Sequence, residues 1–396
     1  MSNFAHYRIV HLSKYYPPDR GGIESYIQTI ARSQSKLGAD VQVLCVNSLN
    51  PQGVPTERTQ TIREMDGGVQ VIRVGRLASL MRFDFCPGLL QELYRLTQSP
   101  RTIVHVHAPN PTMLVALSAL ILLKGTVPIV VTHHSDIIKQ KKLKYFLRPI
   151  EHFVYQKSLL ILATTPNYIE GSDLLKGFVD KLNYTPLILE LDKYYYPSTQ
   201  SLSFAQFLRD TFGDTIWLSV GRLVYYKGLH VAIQALTQLP GVLVIIGSGP
   251  LEKELKSLAH RLQLTERVIW LGNVTEDELI GAYKAATALL FPSNARSEAF
   301  GLVQVEAMAS SCPVINTDIL FSGVSWVCRH EQEALTVPIN DPQSLAEAAR
   351  RLLAEEGLRQ RLAEAGRKRS QDFSYVLHTK RLFKFYDGVL AKLANA

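Results

Sequence analysis

Residues 8–46 read RIVHLSKYYPPDRGGIESYIQTIARSQSKLGADVQVLCV, and the fold class is decided there. The first five residues and residues 41–46 are apolar runs rich in Ile, Val and Leu, the composition of strands buried on both faces. Between them a Pro-Pro and Gly-Gly segment interrupts the chain. Ile23, Tyr26, Ile27 and Ile30 then recur at helical spacing as far as Leu37-Gly38, where glycine supplies the stop. Strand, glycine loop, helix, strand is one βαβ unit, so an α/β fold with a doubly wound parallel sheet is expected.

The same rhythm runs outward from this stretch. Strands are expected at Val69–Val74, 103–106, 129–132 and 159–163, with helices over 88–97, 112–123 and 143–157. The pattern loosens around 184–204 and a fresh series then begins. Ile216–Val220, Val242–Ile246, 268–271, Ala288–Phe291 and 313–316 read as strands, separated by helices over 229–239, 251–262, Glu276–Ala285 and the segment from Leu302. An amphipathic pair, 342–353 and 375–393, closes the chain. Two domains of similar size are therefore expected, 1–195 and 196–374, with a last helix over 375–396 returning to the first.

Composition narrows the class. With 396 residues, 46% hydrophobic and 20% charged, the chain reads as a soluble globular protein. Its four cysteines are scattered and form no metal-binding spacing, which fits free thiols in a reducing compartment. No basic segment followed by an apolar one opens the chain, and the apolar stretch 113–123 is too short to cross a bilayer, so a cytoplasmic protein is expected. The net charge of +8 fits a polyanion, an anionic membrane surface, a phosphorylated substrate or plain solubility. Lys139, Lys141, Lys142, Lys144 and Arg148 cluster beside Tyr145, Phe146 and Leu147, a combination suited to an anionic lipid surface, with a peripheral location at the inner face of the membrane.

Four segments carry the chemistry. The stretch 293–308, SNARSEAFGLVQVEAM, sets Glu298 in a loop after a strand and Glu306 one to two turns into a helix, around Phe300 and Gly301. Ligands of open α/β sheets bind at that edge. In GRLVYYKG, residues 221–228, Arg222 and Lys227 flank a loop between strand and helix, a pairing of fork donor and point charge that suits a diphosphate. Gly21-Gly22 can bring backbone N–H groups against a phosphate or a sugar, but this is not G-x-G-x-x-G and no ribose-binding acid follows, which argues against a dinucleotide enzyme. In THHSD, residues 132–136, His133 and His134 point to opposite sides of an extended chain and make poor co-ligands, so no metal is expected. A single histidine bonding to substrate is the better reading. On the strand IVHVH, His107 is expected to reach the ligand edge and His105 to be packed.

With these residues in hand, the chain resembles glycosyltransferase family 4, with the two-domain GT-B architecture of two Rossmann-like domains whose parallel sheets face a central cleft. The resemblance spans nearly the whole length and is strongest through GRLVYYKG, GSGP, LGNV, the E-x7-E stretch and TVPINDP, residues 336–342. It implies an acceptor in the first domain and a nucleotide sugar, GDP- or UDP-linked, in the second. Arg222 and Lys227 match the pair on the donor diphosphate. Glu298 matches the glutamate on the sugar hydroxyls, and Phe300, Gly301 and Leu302 the backbone at the helix start. Glu306 matches the ribose-binding glutamate, Val274 a residue whose main chain meets the base, Gly22 the loop over the phosphates and His134 a histidine at the transferred sugar. The implied reaction retains the anomeric configuration and needs no metal or further cofactor. SEAFG and 322–328 (SGVSWVC) are similar to bacterial mannosyl- and rhamnosyltransferases that assemble lipopolysaccharide, O-antigen or capsule, which implies a glycan or polyprenol-linked acceptor. One departure stands out: where the family reads P-x-G-h-D (h apolar), this chain has Leu189-Glu190-Leu191-Asp192, which bears on the linker geometry. The competing readings are a nucleotide-sugar epimerase on the same architecture, which turns over its nucleotide sugar without an acceptor, and a non-enzymatic nucleic-acid-binding protein, which predicts steep salt dependence.

Overall fold

In the computed structural model, which describes residues 4–19, 21–48, 59–80, 83–136 and 141–394, the chain divides into two units, Met1–Leu189 with Tyr375–Ala396, and Glu190–Ser374. The division falls slightly before the boundary expected at 195. The short helix Asp192–Tyr195 belongs to the second unit, where it buries Tyr194 beside Tyr283 with ring centroids 6.4 Å apart.

The first unit is built on strands β1 (Arg8–Leu12), β2 (Asp40–Val46), β3 (Ile62–Asp66), β4 (Val69–Val74), the small hairpin β5 (Ala78–Leu80) and β6 (Phe83–Phe85), β7 (Thr102–Ala108), β8 (Ile129–His133), β9 (Leu160–Ala163) and β10 (Leu182–Tyr184). Its eight-stranded sheet runs β10-β9-β8-β7-β1-β2-β4-β3, and β1 lies in parallel between β2 and β7. Only β3 pairs antiparallel, with β4. Every residue of β7 and β8 is buried, as expected of strands covered on both faces. The helix Pro111–Lys124 shows why the chain turns where it does: the Asn110 side chain accepts from the Met113 N–H at its start, and Pro111 needs no partner there. The closing helix Tyr375–Ala394 packs on the helix Gly22–Lys36, burying Phe383 and Tyr386 and hydrogen-bonding Thr379 to Ser33 at 2.8 Å.

The second unit carries β11 (Ile216–Val220), β12 (Val242–Ile246), β13 (Val268–Gly272), β14 (Ala288–Phe291), β15 (Val314–Asp318) and β16 (Ala334–Pro338) in the order β13-β12-β11-β14-β15-β16, with every pair parallel. Succession reverses between β11 and β14.

Two long helices depart from the sequence expectation, besides the short turns Pro166–Glu170, Asp192–Tyr195 and Val324–Val327. The loosened region contains the helix Thr199–Phe212, capped by Ser198, whose hydroxyl accepts from the Ser201 N–H. Its buried residues are Ser201, Ala205 and Leu208, while Leu202 and Phe207 are exposed, so its apolar periodicity is blurred. The helix Leu358–Ser370 buries Leu358, Leu362, Gly366 and Ser370, a stripe too poor in large apolar residues to read from sequence. Gly366 allows that helix to lie close to Met308: a Cβ there meets Met308 Cγ at 3.1 Å.

Candidate active site

At the switch point of the second sheet, the loop after β11 and the loop after β14 emerge on either side of the reversal in strand order, the place where open parallel sheets hold ligands. Lys227 ends the first loop and Glu298 lies in the second. Their Nζ and Oε2 are 2.6 Å apart, with side chains only 12% and 11% exposed. Ser293 donates to the same carboxylate oxygen at 3.3 Å, and the Lys227 ammonium stands 5.0 Å above the Phe291 ring. Breaking an ion pair this sheltered leaves a desolvated charge behind, so both residues are fixed where they stand until something else supplies their charge.

Gly228 makes the geometry available. Its φ of +62 lies in the left-handed region, and a Cβ there meets the Pro292 carbonyl oxygen at 1.9 Å. The two loops thus touch backbone to side-chainless backbone, and the Asn294 N–H donates to the Tyr226 carbonyl at 2.9 Å. Arg222, exposed at the start of the first loop, donates to the Tyr226 hydroxyl at 3.0 Å. The GSGP segment closes against the same loop: the Leu223 N–H donates to the Ser248 carbonyl and the Leu251 N–H to the Leu223 carbonyl.

Downstream of Glu298 the chain turns into the helix Leu302–Ala309, with Phe300 buried and Gly301 at φ +80 as its first cap. The turn is held from below. Ser322 donates to the Glu298 carbonyl, the Gly323 N–H donates to the Ala299 carbonyl at 3.0 Å, and Gln304 links Phe300 to Asn316 on β15. Glu306 projects from the helix, partly exposed, and accepts from the Tyr283 hydroxyl at 2.8 Å. Burial raises its pKa above the ordinary carboxylate range, against the opposing pull of the Tyr283 hydrogen bond and of Lys193. Val274, in the loop after β13, is partly exposed at the same edge of the sheet. Arg222, Lys227, Glu298, Phe300, Gly301, Leu302, Glu306 and Val274 thus all belong to one unit and to its strand carboxyl ends.

Gly22 and His134 belong to the first unit. Gly22 opens the helix Gly22–Lys36 directly after the β1 loop, and Arg20 lies outside the described residues. His134 follows β8 and is 3% exposed; its Nε2 lies 3.0 Å from His107 Nδ1 and its own Nδ1 has no partner among the described residues. Burial lowers its pKa to about 3, keeping the ring neutral. His107, expected at the ligand edge, is instead buried and has both ring nitrogens engaged, with His134 and with His11 at 3.1 Å. His105 is packed as expected, bonded to Tyr386 and Thr132 at 2.7 Å each. Nitrogens of His11, His105 and His107 lie within 4.8 Å of one another, the one grouping of metal-ligand type among the described residues. Each of those six ring nitrogens already has a protein partner, so a cation there has to displace existing hydrogen bonds.

Comparison with known proteins shows the family. Residues 206–369 match the family of glycosyl transferases group 1, and residues 21–173 match the glycosyl transferase 4-like domain. O-antigen chain mannosyltransferase C of Escherichia coli is 30% identical over 94% of this chain and 95% of its own. The chain is a group 1 glycosyltransferase. A second relative, the D-rhamnosyltransferase WbpZ of Pseudomonas aeruginosa, is 32% identical over 87% of this glycosyltransferase and 86% of its own length. In fold, the glycosyltransferase matches HepE of Anabaena, solved with UDP-glucose, with a TM-score of 0.76 at 18% identity over 99% of this chain and 100% of that one. The architecture is GT-B, two Rossmann-like domains with parallel sheets.

Sequence reading of the glycosyltransferase did not find Tyr283, Tyr226, Ser293, His11 or Gln34 as partners of site residues. Tyr226 and Ser293 lie in the same loops as Arg222 and Glu298, while Tyr283, His11 and Gln34 come from other elements and no local spacing announces them. Of the basic cluster, Lys139 and the side chains of Lys141, Lys142 and Lys144 lie outside the described residues; Arg148 is partly buried and Tyr145 is 78% exposed on the helix Lys141–Lys157. No helix among the described residues is long and apolar enough to cross a membrane.

Proposed function

We propose that this glycosyltransferase moves a hexose of mannose or rhamnose type from a GDP- or UDP-linked donor to a glycan or polyprenol-linked glycan during assembly of a cell-surface polysaccharide. The observation that carries the reading is the sheltered Lys227–Glu298 pair at the switch point, with Arg222 on the same loop and Glu306 on the following helix. Two cations suit the donor diphosphate, and the two carboxylates suit hydroxyl-rich groups at its two ends, the sugar by Glu298 and the ribose by Glu306. The backbone of Phe300, Gly301 and Leu302 opens a helix towards the phosphates, Val274 meets the base, and Gly22 and His134 serve the phosphates and sugar from the first domain. The named activities of the two relatives support the mannosyl or rhamnosyl choice.

Chemically, the glycosidic C–O bond to phosphate breaks as an acceptor hydroxyl bonds to the anomeric carbon. The acceptor's proton passes to the departing phosphate oxygen, and a nucleoside diphosphate leaves. Negative charge grows on that phosphate in an oxocarbenium-like transition state, where Arg222 and Lys227 stabilise it. Attack on the face the leaving group vacates retains the anomeric configuration, and the two cations take the part a metal plays elsewhere. The basic, aromatic start of the helix Lys141–Lys157 fits an acceptor at the cytoplasmic face of an anionic membrane, with the protein held there peripherally.

The test is to incubate the protein with GDP- and UDP-linked hexoses, with and without a polyprenol-linked glycan, and to read the product linkage by NMR. Acceptor-dependent transfer with the donor's anomeric configuration is expected. Conversion of the nucleotide sugar without acceptor points to an epimerase instead, and an inverted linkage removes the retaining mechanism. Sedimentation with anionic vesicles tests the membrane, and no binding leaves a soluble glycan as acceptor.

A further inference from the structure

Behind His134 the first unit holds a file of buried imidazoles that the transfer chemistry does not use. His11 on β1, His105 and His107 on β7, and His134 after β8 sit side by side across the point where this sheet's strand order reverses. None is more than 3% exposed, and burial drives the pKa of each below the ordinary imidazole value, to about 4 for His11. A neutral imidazole has one N–H and one lone pair, so a chain of such rings has a direction, and its far end sets it.

That end is Gln34. Its Oε1 lies 2.8 Å from His11 Nε2, and its Nε2 donates to the Tyr386 hydroxyl at 3.2 Å. An amide oxygen only accepts, so His11 carries its proton on Nε2 and offers Nδ1 as a lone pair. His107 Nε2, 3.1 Å away, must then be the donor, which leaves His107 Nδ1 unprotonated. His134 Nε2, 3.0 Å from it, must donate in turn. The side branch obeys the same logic: Tyr386 donates to His105 Nδ1, and His105 Nε2 donates to Thr132. Every ring nitrogen in the file is paired except the last, His134 Nδ1, a buried acceptor without a donor among the described residues. Tyr26 stands edge-on to both His107 and His134, with ring centroids 5.9 and 5.5 Å away, and holds the two rings in line.

We propose that Gln34, His11 and His107 are positioning residues: their directed hydrogen-bond chain fixes His134 as the Nε2–H tautomer, so that its Nδ1 lone pair awaits a hydroxyl donor of the bound substrate. The second half rests on His134 serving the sugar, as proposed above; the first half does not. A lone pair here selects ligands that donate, such as a sugar hydroxyl, and disfavours a phosphate oxygen, which brings only lone pairs of its own. With the Gln34 amide turned over, the whole chain reverses and His134 carries its proton on Nδ1, so the tautomer is a direct readout of the chain's direction.

The test is 15N NMR of the histidine rings in the full-length protein at pH 7, with His134 assigned by its loss in His134→Asn. The wild type is expected to show His11, His107 and His134 all protonated on Nε2 alone. His107→Asn places an amide oxygen where His107 Nδ1 was, and should keep His134 as Nε2–H. His107→Phe fills the space without an acceptor, and should give a mixture of tautomers with a transfer rate reduced roughly tenfold, as for other residues that orient a site group. A merely structural histidine predicts the reverse order, since asparagine leaves the larger void. His134 with its proton on Nδ1, or a His107→Phe spectrum identical to wild type, overturns the proposal. Unimpaired transfer by His134→Phe, which has no acceptor at that position, with the expected wild-type tautomers overturns only the sugar contact and leaves the chain standing.

Discussion

The Glu306 carboxyl accepts from Tyr283 in a partly buried position, where burial raises its pKa above that of an exposed glutamate. A raised carboxyl pKa means the folded state holds the proton more tightly than the unfolded one. That contribution is full below the unfolded pKa of about 4.5 and is lost as pH rises through the folded value, so at neutral pH the ionised group is a cost. Glu306→Gln keeps an acceptor for Tyr283 and removes the charge. Thermal melts should show this variant more stable than wild type at pH 7, with the gap closing towards pH 4; an equal gap at both pH values contradicts the burial cause. The same variant should bind the donor more weakly, because a carboxylate accepts more strongly from ribose hydroxyls than an amide does. Glu298 and Lys227 were legible in the sequence because each stands next to a strand end. Tyr283, on the helix Glu276–Ala285, and His11, one strand over from His105 and His107, were not: their contacts are made across elements, and nothing in local spacing encodes them.

Among the elements, the loop 221–228 is the one on which the donor site depends most. Gly228→Ala forces a side chain into a left-handed backbone position and against the Pro292 carbonyl. The strain alone is of order 1–3 kcal/mol. Urea denaturation should show a loss of about 2 kcal/mol or more, with donor affinity falling as Lys227 and Glu298 separate. A variant as stable as wild type contradicts the close approach of the two loops. Strands were legible almost throughout because buried parallel strands write themselves as unbroken runs of Val, Ile and Leu. β3, the β5–β6 hairpin, β10 and β16 were not expected, since they are short or partly exposed. The linker's Glu190 is exposed while Leu189 and Leu191 on either side are buried, so the residue that departs from the family pattern points to solvent.

Over the whole molecule, acid bears most on the buried imidazoles clustered in the first unit. In the first, His11 and His134 are neutral, with folded pKa values near 4 and 3 against 6.5 for the free side chain. A depressed histidine pKa gives stability that is present above 6.5 and is lost as pH falls through the folded value. Hydrogen-exchange protection of β1 and β7 should therefore drop between pH 7 and pH 5, while that of β11 and β14 holds; equal changes in both sheets contradict the role of the buried imidazoles. What the two units share is a reversal of strand order within a parallel sheet, the doubly wound pattern that the βαβ rhythm of the sequence implied from its first 46 residues. The measurement that tests the donor site most directly is titration calorimetry of nucleotide sugars into the wild type, Glu298→Gln and Lys227→Met, with far-ultraviolet circular dichroism to confirm the fold. At least one GDP- or UDP-linked hexose should bind the wild type, and each variant should bind it about 10- to 100-fold more weakly, the loss of one charged hydrogen bond. Wild-type affinity in both folded variants contradicts a donor site at Lys227 and Glu298.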